Sequence, residues 1–136
     1  MSTAHPLEDK VSIVTGAGGQ IGEGIAVELA KAGSDVVIAD VNVLDTEYNQ
    51  QASTDVGGAD RARDVAGRIE DIGRRAHIVE CDVTHADQVA AMVEETVSEF
   101  GGLDVLCNNA GIITVDPVEE MAEAEWDSVM DVNVKG

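Results

Sequence analysis

The feature that most constrains this chain is a glycine cluster at the end of an apolar run. Val11 to Thr15 reads as a buried strand, and Gly16-Ala17-Gly18-Gly19-Gln20-Ile21-Gly22 follows it directly. Ile21, Ile25 and Leu29 then recur at helical spacing on one face, and Gly33 ends that helix. A chain that turns this sharply from strand to helix needs residues without a Cβ. The same lack of side chain lets the N–H groups at the helix start, and the positive end of its dipole, approach a phosphate. Gly16, Gly19, Gln20, Ile21 and Gly22 are therefore candidate contacts to a pyrophosphate.

Strand-like and helix-like periods alternate along the rest of the chain. Val36 to Ala39 is a second, wholly apolar strand. A polar stretch over 41–58 follows, too long for an ordinary strand-to-helix connection. Ala62, Val65, Ala66, Ile69 and Ile72 mark a helix, and Ala76 to Cys81 a third strand. Thr84 with Asp87 predicts a capping box, opening a helix with an inward face of Val89, Met92, Val93, Val97 and Phe100. Leu103 to Cys107 is a fourth strand. Asp116-Pro117 predicts the start of a last helix, which carries Met121, a packing Trp126 and Met130 and runs to the end of the sequence.

Strands alternating with helices predict an α/β fold, a doubly wound parallel sheet with right-handed crossovers and strand order 3-2-1-4. Aromatic residues make up only 2% of the chain, so the core must be aliphatic, as suits strands covered on both faces. A chain of 136 residues allows one domain. His5, His77 and His85 have no metal-ligand spacing, and no metal site is expected.

Asp40 ends the second strand roughly 20 residues beyond the glycine loop, where a dinucleotide site needs a ribose partner. Its carboxylate can accept hydrogen bonds from both adenosine-ribose hydroxyls and would repel a 2′-phosphate. No Arg or Lys lies in the loop or between Asp40 and Gly58 to offset that repulsion. NAD is thus expected in preference to NADP, with Val41 beside Asp40 in the site.

The charge balance excludes other ligands. Asp and Glu number 27 against 8 Lys and Arg, a formal net charge of -19, which repels nucleic acid and anionic membranes. The acids are spread over predicted helix faces (Glu23, Glu28, Asp87, Glu94, Glu95, Glu99), and Lys occurs only at Lys10, Lys31 and Lys135. Such a surface is similar to that of proteins from salt-loving organisms. Cys81 and Cys107 fall three strands apart in the expected order, roughly 14 Å, too far for a disulfide. Two core thiols, no signal peptide and no membrane span lead to the expectation of a cytoplasmic protein.

Four motifs, TGAGGQIG at 15–22, CDVT at 81–84, NNAG at 108–111 and VNVKG at 132–136, now carry a resemblance. From Lys10 to Gly136 the chain resembles the core branch of the short-chain dehydrogenase/reductase family, which implies a Rossmann-type sheet and a nicotinamide cofactor. The resemblance implies that Asp82 contacts adenine, with the backbone of Val83 beside it. It implies that Asn109, Ala110 and Gly111 line the riboses and stabilise the sheet. It makes Asn133 one of a catalytic tetrad, holding a water in a proton relay. The spacing of Gly16, Gly19 and Gly22 is that of the extended branch, while NNAG and VNVKG are core-branch motifs. The Gln20 amide is expected near the phosphates or the nicotinamide. This glutamine and the 41–58 insertion are also similar to a subgroup that retains NAD tightly, although drift in a surface loop explains the insertion more simply.

Hydride transfer in the family uses a Tyr-x-x-x-Lys pair and a Ser: the tyrosine is the acid/base, the lysine lowers its pKa, and the serine polarises the carbonyl. The only tyrosine here is Tyr48, with Ala52 four residues on, so Asn133 alone stands for the tetrad. The fourth strand would be an open edge and the last helix lacks a C-cap. The expectation is that 1–136 forms a single NAD-binding domain, the incomplete N-terminal part of a longer enzyme and inactive alone. The intact enzyme is expected to form a homo-oligomer and to act on a small alcohol or carbonyl. The alternative is a non-catalytic NAD-binding or interaction module. Because salt screens self-repulsion, the melting temperature should rise from low to multimolar salt; equal values at both would remove the salt requirement.

Overall fold

A computed structural model describes residues 4–41 and 58–136. The polar stretch at 41–58, with Tyr48, lies outside the described residues except for Val41 and Gly58. The described elements run β1 (Val11–Thr15), α1 (Gln20–Lys31), β2 (Asp35–Asp40), α2 (Ala59–Asp71), β3 (Ala76–Glu80), α3 (Ala86–Phe100), β4 (Val105–Cys107) and α4 (Glu123–Met130). A π-helical turn, Asp131–Lys135, continues α4.

The four strands form one parallel sheet in the order β3-β2-β1-β4, as the alternation of periods predicts. Successive side chains of a strand point to opposite faces, and β1 and β2 are apolar on both. Val14, Val36 and Ile38 pack on one face against Ala26 and Ala30 of α1 and Ala62, Val65 and Ile69 of α2. Ile13, Val37 and Ala39 pack on the other against Met92 of α3, with Val89 and Phe100 at its margin. Burying each such side chain fully stabilises the fold by about 1.5–3 kcal/mol. Cys81 and Cys107 are both free thiols, on strands with two others between them.

Several local expectations are corrected. Ile21 is 75% exposed; the buried positions of α1 are Gly22, Ala26, Val27 and Ala30, because Gly22 takes the inward place that a larger side chain would overfill. In α3, Thr96 is buried and Val97 exposed, since the Thr96 hydroxyl donates to the Met92 carbonyl at 2.8 Å and so satisfies itself within the helix. Thr84 does not cap this helix. His85 is the N-cap, and the Thr84 N–H and hydroxyl instead donate to the Asp82 carboxylate at 2.9 and 2.7 Å. Asp116-Pro117 does not open α4, because the Pro117 carbonyl closes a turn by accepting from Glu120 and Met121. The helix starts at Glu123, and its buried face runs through Glu125 and, one π turn on, Val132. Trp126 is left 54% exposed rather than packed.

One buried charge holds the start of β2. Asp35 is 3% exposed. It accepts from the Arg75 backbone N–H at 2.9 Å and from Nε and Nη2 of Arg75 at 2.9 and 2.6 Å, and Arg74 Nη2 lies 3.0 Å away. Burial pushes this carboxyl up, but the Arg75 hydrogen bonds and the two guanidinium charges outweigh it and bring the pKa below its ordinary 3.8. A depressed carboxylate stabilises the fold above its unfolded-state pKa and loses that contribution as pH falls through the folded value. Asp35→Ala should therefore cost about 3 kcal/mol at neutral pH and less below pH about 4, read from denaturant melts at both.

Candidate functional site

The C-terminal ends of the strands carry the site, the usual place in an open parallel sheet. At the end of β1 the Gly16 N–H donates to the Ala39 carbonyl at 2.7 Å, tying the loop to β2. On the other side the loop is tied to the segment after β4. The Thr15 hydroxyl accepts from the N–H groups of Asn109 and Ala110 at 3.0 Å each. The Asn109 side-chain amide donates to the carbonyls of Thr15 at 3.0 Å and Gly16 at 3.3 Å.

These ties leave no space for side chains. Gly16 has φ of +65°, and a Cβ there would lie 2.9 Å from the Ala110 Cα. A Cβ on Gly22 would lie 2.3 Å from the Gly16 carbonyl oxygen and 2.8 Å from the Ala17 Cα. Gly19 is the N-cap of α1, extended in conformation and without a side-chain cap. The N–H groups of the first turn, including Gln20, Ile21 and Gly22, have no partner further back along the helix. A helix start of this kind suits an anion.

At the end of β2, Asp40 Oδ2 accepts from the Gly18 N–H at 2.7 Å and Oδ1 from the Val41 N–H at 2.8 Å. Burial pushes its carboxyl above the ordinary 3.8, and the Val41 and Gly18 N–H groups pull it only partly back. At the end of β3, Asp82 is held by Thr84, by His85 Nδ1 at 3.3 Å, and through its own N–H, which donates to Gln88 Oε1 at 2.8 Å. After β4, Asn133 in the π turn is locked to Ile112: its Oδ1 accepts from the Ile112 N–H at 2.8 Å and its Nδ2 donates to the Ile112 carbonyl at 2.9 Å.

A cavity opens among these ends, lined by Gly16, Asp40, Val41, Cys81, Asp82, Val83, Ala110, Gly111, Ile112 and Val132. Seven of those are residues singled out in the sequence. Gly19, Gln20, Ile21, Gly22, Asn109 and Asn133 lie outside the lining: Gly22 and Asn109 shape the loop, and Gln20 and Ile21 are exposed on the first turn of α1. Sequence reasoning missed Cys81, Ile112 and Val132 as lining residues, although Cys81 and Val132 open the CDVT and VNVKG motifs and Ile112 follows NNAG. It also missed Arg61, whose Nε donates to the Gly18 carbonyl at 3.1 Å from α2.

Burial also pushes the Cys81 thiol up, with the Asp82 charge adding to the effect. Among the described residues no group of three or more His, Cys, Asp or Glu is placed to hold a metal ion. Nor, among them, is any helix long and apolar enough to cross a membrane.

The glycine geometry separates two substitutions within one helix. Gly22→Ala drives a Cβ into backbone that no rotamer can clear, and should destabilise by about 3 kcal/mol, the upper end of overpacking costs. Gly24→Ala meets nothing within 4 Å and should stabilise by about 0.5–1 kcal/mol. Denaturant unfolding of the two variants checks both signs.

The chain matches the short chain dehydrogenase family over residues 10–136. It is 39% identical over 127 residues to a 3-oxoacyl-[acyl-carrier-protein] reductase of Staphylococcus aureus, which covers 93% of this chain and 46% of that protein. It is 34% identical over 134 residues to the 2-dehydro-3-deoxy-D-gluconate 5-dehydrogenase of Escherichia coli, covering 98% and 46% respectively. The crystal structure of a short-chain type dehydrogenase/reductase from Mycobacterium marinum superposes with a TM-score of 0.81 at 32% identity, over 98% of this chain and 49% of that one. The chain therefore spans about half the length of these relatives. Its sheet order, its glycine loop and this match together make it a member of the short-chain dehydrogenase family, corresponding to the N-terminal part of the fold.

Proposed function

We propose that residues 1–136 form one NAD-binding domain of an oxidoreductase that moves hydride between an alcohol and a carbonyl. The observation that carries this reading is Asp40, whose carboxylate lines the cavity and, among the described residues, accepts from two backbone N–H groups and pairs with no cation. An ionised carboxylate has about four acceptor positions, so room remains for the paired hydroxyls of adenosine ribose. A 2′-phosphate would meet a like charge there. NAD fits this site better than NADP.

The other residues fit the same group. Gly16, Gly19, Gln20, Ile21 and Gly22 would hold the diphosphate, where a Cβ on Gly16 or Gly22 would collide with backbone. Asp82, with its carboxylate oriented by Thr84, and Val83 would receive the adenine. Val41, Asn109, Ala110 and Gly111 would flank the riboses. Bound NAD would supply the hydride acceptor. Asn133, its amide held by the Ile112 backbone, would serve the proton relay together with a Ser and a Tyr-x-x-x-Lys pair from the remainder of the fold. The 136 residues contain no Tyr-x-x-x-Lys, so this portion alone would bind and not turn over. A homo-oligomeric, cytoplasmic enzyme with a salt-adapted surface, acting on a small alcohol or carbonyl, completes the reading.

A second reading is a non-catalytic NAD-binding or interaction module. Alcohol-dependent reduction of NAD by the intact protein, followed by absorbance, separates the two: turnover sinks the second reading.

Titration with NAD and NADP in concentrated salt tests the cofactor. The wild-type protein should bind NAD more tightly, and Asp40→Ser should weaken NAD by about tenfold and narrow the preference. Tighter NADP binding by the wild type would overturn the role given to Asp40. Because burial raises the Asp40 pKa, the folded protein takes up a proton there at higher pH than the unfolded chain. The ionised form thus costs stability at neutral pH and that cost disappears as pH falls through the raised value. NAD affinity should decline over the same range.

A further inference from the structure

All five arginines of the chain lie between 61 and 75, and two of them converge on the glycine loop. Arg61 Nε donates to the Gly18 carbonyl at 3.1 Å. Its Nη2 pairs with Glu23 Oε2 at 3.1 Å, and Arg68 Nη1 pairs with the other oxygen of the same carboxylate. The Glu23 side chain is only 20% exposed, so the two guanidinium groups leave it little contact with water. On the far side of the Gly18 residue, its N–H is the one that donates to Asp40.

We propose that Arg61 is a positioning residue for the cofactor, fixing Gly18 and through it the carboxylate of Asp40. This rests on the reading of Asp40 as the ribose partner. Gly18-Gly19 carries no side chain that could hold its own peptide planes, and glycine has the most backbone freedom to lose. A charge-assisted bond to the Gly18 carbonyl fixes the Gly18–Gly19 peptide plane, one side of the flexible Gly18 Cα whose other side carries the N–H that meets Asp40. Glu23 and Arg68 in turn hold the Arg61 fork in one rotamer. Lysine keeps the charge but lacks the planar fork that reaches both Gly18 and Glu23.

The test is NAD affinity by titration calorimetry on the intact protein, at fixed salt and well below the melting temperature. Arg61→Ala should weaken NAD binding by about tenfold, and Arg61→Lys should recover part of the loss. In an Asp40→Ala background, Arg61→Ala should cost under about threefold more, because the path through Gly18 then ends on nothing. A role in folding alone would lower the ligand-free melting temperature without this dependence on Asp40. Unchanged affinity in Arg61→Ala, or a full tenfold loss that persists without Asp40, overturns the inference. If Arg61→Ala does not fold, Glu23→Gln takes its place, with a loss of about threefold expected and no loss overturning the inference. A wild-type protein that binds neither NAD nor NADP overturns the cofactor reading and this inference with it. Normal wild-type binding with an unaffected variant overturns this inference alone.

Discussion

The side chains of Thr15 and Asn109 tie the glycine loop to the segment after β4, and the rest of the site takes its geometry from that contact. Thr15 is the hinge of it. Its hydroxyl accepts from two consecutive N–H groups, Asn109 and Ala110, while Asn109 returns its own amide to the Thr15 and Gly16 carbonyls. These buried polar groups satisfy one another, which is the condition for placing them away from water. The exchange joins the ends of β1 and β4, already paired through Ser12, Ile13 and Val14. Gly16 must lack a Cβ because it would meet the Ala110 Cα, and Gly22 because it would meet the Gly16 carbonyl oxygen and the Ala17 Cα; backbone does not yield as a rotamer does.

Four of the five arginines of this acidic chain are directed at partly or fully buried carboxylates. Arg74 and Arg75 surround Asp35, and Arg61 and Arg68 surround Glu23. Arg63 with Asp60, Lys31 with Glu28 and Lys10 with Asp104 are pairs exposed on both sides, the kind that contributes little. The arginines of α2 and the turn after it thus fasten that helix to β2 and to the start of α1. The acidic surface is left with few positive neighbours. An anionic ligand would then depend on the helix dipole and the loop N–H groups rather than on the general field, which opposes it.

While Ile21, Ile72, Ile78 and Val97 lie elsewhere, most of the large apolar side chains exposed among the described residues fall within or after β4. Leu106, Ile113, Val115, Val118, Trp126, Met130 and Val134 all belong to this region, and among the described residues β4 pairs only with β1. It is the edge along which a doubly wound sheet of this order extends, and the relatives are about twice as long as this chain.

Periodicity alone determined the four strands, their parallel order and the glycine loop, because side-chain alternation and tight-turn chemistry are properties of neighbours along the chain. Spacing from the glycine loop also singled out Asp40, whereas Asp82 and the 109–111 segment came only with the resemblance to the short-chain dehydrogenase/reductase family. Helix starts were less legible: Thr84 and Pro117 both carry cap-like chemistry, but each spends its hydrogen bonds on a nearer competitor, the Asp82 carboxylate and a closing turn. The inward face of α1 was misread at Ile21 because hydrophobicity does not reveal that the loop leaves space only for a glycine. Tertiary structure alone decided that Arg61, 43 residues from Gly18, would hold that loop, and that Ile112 would lock Asn133. Contacts between residues so far apart depend on how the crossovers pack, and no local pattern of residues encodes which side chain will arrive there.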